Sequence, residues 1–217
     1  MKPARGKPRS NAGQQAFGKV RIIGGAWRGS KLDVVDADGL RPTSDRARET
    51  LFNWLQHHLA GAACLDVFAG SGALGFEAAS RGASRVTMIE RSPTAMAQLQ
   101  AAKTRLNAAN VELCSGDALA WLAKAPERRY DIAFVDPPFA AGLHEAVLRA
   151  VVPWLAPGAF LYVECPAGGE PVIPAGFVVH REGGTRQARH LLLRDIGATD
   201  ATVTLDSMRS EASPGTT

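Results

Sequence analysis

From Ala63 to Leu155 the chain alternates two kinds of segment, and this alternation limits the fold more than any other feature. Ala63–Phe68, Arg85–Glu90, Val111–Cys114 and Tyr130–Asp136 are short apolar runs that read as strands. Gly72–Ser80, Pro93–Ala108, Asp117–Ala123 and Leu143–Leu155 carry helical spacing, the second of them opening on proline. A helix between two strands returns the chain to the same edge of the sheet, so the strands run parallel and the helices cover both faces. Three further strand-like runs follow: Ala159–Glu164, Phe177–Arg181 and Ala188–Arg194, with turns expected at Pro157-Gly158 and Gly183-Gly184. Only Glu182 to Gln187 separate the last two runs. That is too short for a helical crossover, so an antiparallel hairpin is expected. The expected class is α/β, a mostly parallel seven-stranded sheet with an antiparallel C-terminal hairpin.

Ahead of this core, Val20–Ile23 and Lys31–Val35 read as two short strands punctuated by Gly24, Gly25 and Gly29, a small N-terminal β-hairpin extension. Thr43 or Ser44 caps a helix reaching about Leu59, with apolar positions at Ala47, Leu51, Phe52, Leu55 and Leu59. The expected organisation is a basic disordered arm (1–18), the hairpin extension (19–40), the main domain (41–197) and a disordered tail (198–217).

Charge is distributed unevenly. Lys2, Arg5, Lys7, Arg9, Lys19, Arg21, Arg28 and Lys31 precede the first acidic residue, Asp33, while the whole chain carries only +4. A basic arm on a mildly acidic body suits a polyanion such as nucleic acid. It equally suits a solvated tail, and charge alone leaves both readings open. No run of eighteen apolar residues is present, and no apolar stretch follows the basic N-terminus, so neither a membrane helix nor a secretory signal is expected. Cys64, Cys114 and Cys165 are odd in number and widely spaced in apolar runs, which reads as reduced core thiols of a cytoplasmic protein, with no metal site.

The first core strand leads into Leu65-Asp66-Val67-Phe68-Ala69-Gly70-Ser71-Gly72-Ala73-Leu74-Gly75, in which Gly70, Gly72 and Gly75 fit G-x-G-x-x-G. Such a turn lets a ligand lie on bare backbone at a helix N-terminus. Glu90 ends the next strand, twenty residues after Gly70, where a carboxylate accepts from ribose hydroxyls. Nicotinamide-dinucleotide domains share these features. Asp66 departs from them, because a carboxylate inside that strand suits a ligand bearing an ammonium group, such as the methionine part of S-adenosylmethionine. Asp117, after the third strand, either accepts from an adenine amine or caps the helix that begins there. Asp66, Phe68, Gly70, Gly72, Gly75, Glu90, Asp117 and Asp136 form the candidate cofactor set.

Asp136-Pro137-Pro138-Phe139 ends the fourth core strand, on the same rim as Gly70 and Glu90. This pattern fits methylation of an exocyclic base amine, whose lone pair is delocalised into the ring. A carboxylate and a carbonyl accepting from its N–H groups make the nitrogen pyramidal and aim its lone pair. Two prolines fix the backbone and withhold competing N–H groups, and an aromatic ring stacks on the flipped base. Asp136, Pro137, Pro138 and Phe139 are the candidate catalytic residues.

The chain resembles the bacterial 16S ribosomal RNA guanine-N2 methyltransferases called RsmD, over about Arg21 to Arg194. Three segments carry the resemblance: Arg21-Ile22-Ile23-Gly24-Gly25-Ala26-Trp27-Arg28-Gly29, Leu40-Arg41-Pro42-Thr43-Ser44-Asp45-Arg46-Ala47-Arg48-Glu49-Thr50-Leu51-Phe52-Asn53-Trp54-Leu55, and the core with its Asp-Pro-Pro-Phe motif. The resemblance implies a Rossmann-like class I methyltransferase fold, S-adenosylmethionine as cofactor, and methylation of one guanine N2 in small-subunit ribosomal RNA by a monomer acting on an RNA–protein particle. It places Arg21, Arg28 and Lys31 on phosphates, and Arg41, Thr43, Arg46 and Glu49 at the mouth of the site. Arg41 and Arg46 read equally well as an ion-pair cluster with Asp45 and Glu49. The segment Thr185-Arg186-Gln187-Ala188-Arg189-His190 departs from the family pattern. Adenine-N6 methylation of DNA or RNA shares the Asp-Pro-Pro-aromatic motif, and a nicotinamide-dependent oxidoreductase shares the glycines.

Overall fold

The computed structural model describes residues 18–34, 45–138, 142–186 and 188–197. Strands β1 (Gly18–Arg21) and β2 (Lys31–Val34) pair antiparallel. Helix α1 (Asp45–Trp54) precedes β3 (Ala63–Asp66), α2 (Ala73–Ser80), β4 (Arg85–Glu90), α3 (Pro93–Arg105), β5 (Val111–Ser115), α4 (Ala118–Leu122) and β6 (Tyr130–Val135). Helix α5 (His144–Val151) and a 3-10 turn (Val152–Trp154) lead into β7 (Leu155–Pro166), β8 (Phe177–Gly184) and β9 (Ala188–Asp195).

The seven strands of the main sheet lie in the order β5-β4-β3-β6-β7-β9-β8. Strands β3 to β7 run parallel, and β9 is antiparallel to both β7 and β8. The expected class and C-terminal hairpin are therefore observed. The chain winds outward from β3 through β4 to β5, then crosses back to place β6 on the other side of β3. The crevice at a reversal of this kind, outside the carboxyl ends of the two central strands, is where open α/β sheets bind ligands. One face of the sheet is covered by α1, α2 and α3 through Phe52, Phe76 and Leu99, packed in one cluster with Phe134 and Tyr162 of the strands. The other is covered by α4 and α5 through Leu122, Val147, Val151 and Trp154.

Several boundaries differ from expectation, each for a local reason. Strand β1 stops at Arg21 because the Ile23 and Gly24 amides bind the Glu77 carboxylate rather than a strand. Helix α1 ends at Trp54 and gives way to turns before Leu59. Helix α3 ends at Arg105, and Asn107, at φ 50°, takes the left-handed conformation that stops it. Pro157-Gly158 makes no turn between elements but sits within β7, where the register with β6 shifts between Tyr130 and Ile132. Gly183 and Gly184 belong to β8, paired with His190 and Arg189, and the reversal comes at Thr185, whose amide donates to Ala188 O. The expected caps Thr43 and Ser44 lie outside the described residues.

The β1–β2 hairpin has no core of its own. Ile22 and Leu32 join the cluster that includes Phe52 and Phe76, and Trp27 meets Phe76 edge-on with ring centroids 6.4 Å apart. The loop lies against the end of α2. A Cβ on Gly25, at φ 76°, would stand 1.9 Å from Ser80 O, which explains the glycine there. Glu77 is fully buried and accepts from Ile23 N at 2.6 Å, Gly24 N at 2.8 Å and Arg81 Nε at 2.7 Å. Arg48, also fully buried, donates to Arg21 O at 2.9 Å and Asp45 Oδ1 at 2.7 Å, and stands 3.9 Å from Glu77.

Candidate active site

The β3–α2 turn shows what each glycine is for. Gly70, at φ 51°, has open space where its Cβ would be. Gly72 and Gly75 have none: a Cβ on Gly72 would lie 2.6 Å from Leu99 and Phe76, and one on Gly75 would lie 2.4 Å from Met88. Gly70 thus leaves the bare surface a ligand needs, whereas Gly72 and Gly75 let α2 seat on β4 and α3. All three were assigned to ligand approach from the sequence; packing accounts for two of them.

Asp66 ends β3 with 2% exposure, and its Oδ2 accepts from the Gly75 amide at 3.0 Å. Its visible work is to brace the glycine turn from beneath. Burial pushes its carboxyl up to about 7, against the lowering effect of the Gly75 hydrogen bond. Phe68, half-buried, packs against the α4–α5 side of the core at the start of the turn. Glu90, at the tip of β4, accepts from Gly70 N at 2.8 Å through Oε2 and from Ser92 N at 2.7 Å through Oε1. It ties the glycine turn to the neighbouring strand end and stands beside the open face of Gly70. Asp117 is exposed and caps α4, accepting from Ala120 N at 3.0 Å. Of its two readings the cap is the one the structure displays.

Asp136 directly follows β6, half-buried, with Pro137 buried and Pro138 exposed. Because β3 pairs with β6, the carboxyl ends that carry the glycine turn and Asp136 are neighbours. Phe139 lies outside the described residues. Sequence reasoning found the next strand but left its last residue out of the site: Glu164, near the end of β7, sits one position beyond the Val135–Val163 pair, level with Asp136. Glu164 is opposite His190 on β9. The available signal was a charged residue at the carboxyl end of an otherwise apolar run. His144 is half-buried with Nε2 2.9 Å from Glu164 O.

Lys31 and Arg21 are cross-strand partners on the exposed face of the hairpin, opposite the buried Val20–Leu32 pair, and Arg28 is exposed in its loop. Arg46 is exposed on α1, while Asp45 pairs with Arg48 rather than with Arg46. Arg48 itself went unnoticed, although it stands three and four residues before Leu51 and Phe52, on the buried stripe. Arg41 and Thr43 lie outside the described residues. Cys64, Cys114 and Cys165 are free thiols. No metal-binding cluster occurs among the described residues, and no helix there is long and apolar enough to cross a membrane.

Strand order, glycine turn and the acidic residues at its rim define a class I methyltransferase, an enzyme that uses S-adenosylmethionine. The family model described as conserved hypothetical protein 95 matches residues 20–193. The chain belongs to that family, the family of ribosomal RNA small subunit methyltransferase D. The Escherichia coli K12 protein of that name is 46% identical over 178 residues, covering 81% of this chain and 89% of its own length. The solved structure of yhhF from Escherichia coli is 43% identical, with a TM-score of 0.76 over 82% of this chain and 98% of its own. SMU.776, solved in complex with SAH, shares the fold at 17% identity, with a TM-score of 0.65 over 85% of this chain and 58% of its own.

Proposed function

We propose that this enzyme transfers a methyl group from S-adenosylmethionine to the exocyclic N2 amine of one guanine in 16S ribosomal RNA of the small subunit. The carrying observation is that Asp136 follows β6 at the sheet reversal, on the rim formed with β3, the strand that leads into the Gly70 turn. The name of the Escherichia coli relative supports the substrate class.

S-adenosylmethionine, when bound, supplies a methyl carbon already activated by cationic sulfur, so positioning rather than strong base catalysis is what the protein must add. Gly70 and the start of α2 offer bare backbone for it, Glu90 a carboxylate for hydroxyl groups, and the acidic rim a site matched to a cation. Asp136 accepts from one amine N–H and turns the nitrogen lone pair toward the methyl carbon. With the cofactor held there, its methyl group would pass from sulfur to the amine nitrogen, and Asp136 or water would take the surplus amine proton. Pro137 and Pro138 hold the backbone that aims Asp136, with Phe139 stacking on the base.

Lys31, Arg21 and Arg28 would grip phosphates from the hairpin, with Arg41, Thr43 and Arg46 at the mouth of the site. We place the enzyme, as a monomer, in the cytoplasm with assembling ribosomal particles. The test is transfer of labelled methyl to small subunits that lack the native modification, followed by nucleoside analysis. N2-methylguanosine is expected. Label in N6-methyladenosine would overturn the base assignment, and label on naked RNA alone would overturn the particle.

A further inference from the structure

We propose that Glu164 is the residue that selects guanine, accepting the ring N1–H while Asp136 accepts from the adjacent N2 amine. The proposal rests on the guanine reading above and names the group behind it. Asp136, Glu164 and His190 form a row across three adjacent strands, β6, β7 and β9, on the rim where the glycine turn opens. Phe134 and Tyr162, one pleat back, touch edge-on at 6.5 Å, which puts this stretch of both strands on a common face. Neighbouring strands stand about 4.8 Å apart, so two carboxylates in this row meet two adjacent donors on one base edge.

The Glu164 carboxylate is held in place. It is 7% exposed, and Tyr162 Oη lies 3.2 Å from its Oε2. Tyr162 Oη is also 3.0 Å from His190 Nδ1. Burial, with Glu164 and Asp136 nearby, keeps the phenol proton on well above the usual range. The phenol therefore has one hydrogen to give. Given to Glu164, it leaves the phenol oxygen to accept from Nδ1–H, which fixes the His190 tautomer. His190 Nε2 is buried without a hydrogen-bond partner among the described residues. This chain of contacts orders Glu164, and an ionised carboxylate has roughly four acceptor positions. Beyond it a groove of about 400 Å³ opens on the same rim, lined by Gly168, Gly169, Gly183, Gly184 and Arg189 among others.

Base chemistry supplies the selection. Guanine carries a ring N–H next to its exocyclic amine. Adenine and cytosine carry a ring lone pair there, which would face the Glu164 carboxylate and be repelled. A site whose buried polar groups go unpaired with the wrong partner discriminates strongly. An aspartate alone, as in the shared Asp-Pro-Pro motif, does not distinguish these amines; a second carboxylate beside it does.

The test uses particles rebuilt from a split 16S RNA whose synthetic piece carries guanine or 2-aminopurine at the mapped position. 2-Aminopurine keeps the amine but has a lone pair in place of N1–H. Wild type should methylate guanine and nearly ignore 2-aminopurine. Glu164→Gln presents an amide donor to that lone pair, so the guanine-to-2-aminopurine rate ratio should fall roughly ten- to a hundredfold, with S-adenosylmethionine affinity unchanged. An unchanged ratio would overturn the proposal. Should that variant fold poorly, Tyr162→Phe gives the second reading: loosening Glu164 should lower the same ratio several-fold, and an unaltered ratio again sinks the idea. Failure of wild type to label guanine would instead refute the guanine assignment itself.

Discussion

Asp66 and Glu90 show how acidic residues at one rim take different work from their surroundings. Asp66 is sealed beneath the glycine turn, Glu90 stands at its edge, and both bind turn amides. Because burial raises the Asp66 carboxyl from 3.8 to about 7, the folded protein holds a proton that the unfolded chain has already released. Its contribution is therefore fully present below about pH 4 and is lost as pH rises through 7. Urea unfolding at several pH values should show wild type losing stability over this window relative to Asp66→Asn, by at most about 4 kcal/mol. Parallel pH curves would show that Asp66 is solvated. For Glu90, replacement by alanine removes the proposed ribose acceptor and the tie to Gly70 N. The dissociation constant for S-adenosylmethionine, read by calorimetry, should rise about ten- to a hundredfold, and an unchanged value would refute the ribose role.

The hairpin and α2 form the joint between the surface proposed to grip RNA and the glycine turn. Glu77 binds two hairpin amides from the helix whose first residues carry the glycines, and Arg48 ties Arg21 O to α1. Glu77→Ala would leave Arg48 and Arg81 without their carboxylate in a buried site, a loss of about 3–5 kcal/mol in denaturant unfolding. A change under about 1 kcal/mol would mean that the joint is solvated. The hairpin itself was legible from Gly24, Gly25 and Gly29, and Trp27 seats it by meeting Phe76 edge-on. Its latch was not legible, because Glu77 lies 54 positions after Ile23, within a run that reads only as helix. Contacts between a side chain and distant backbone leave no period in the sequence.

For the whole molecule, alternation of strands and helices was enough to fix a parallel sheet and the rim that carries Gly70, Glu90 and Asp136. Strand order was not written there, and with it the adjacency of Asp136 to Glu164 and His190 stayed hidden, since those residues come from runs 28 and 26 positions apart that local patterning cannot align. Glycine roles were partly legible: the motif located the turn, but only the packed positions of Leu99, Phe76 and Met88 separate the glycine that opens a site from those that close a core. The central claim is that this rim separates binding from transfer, with Asp136 acting on the acceptor amine. The most direct measurement is Asp136→Ala, assayed by calorimetry with S-adenosylmethionine and by single-turnover methylation of unmodified small subunits. The account predicts cofactor affinity close to wild type and transfer slowed roughly a hundredfold or more. Lost cofactor binding, or transfer at the wild-type rate, would contradict it.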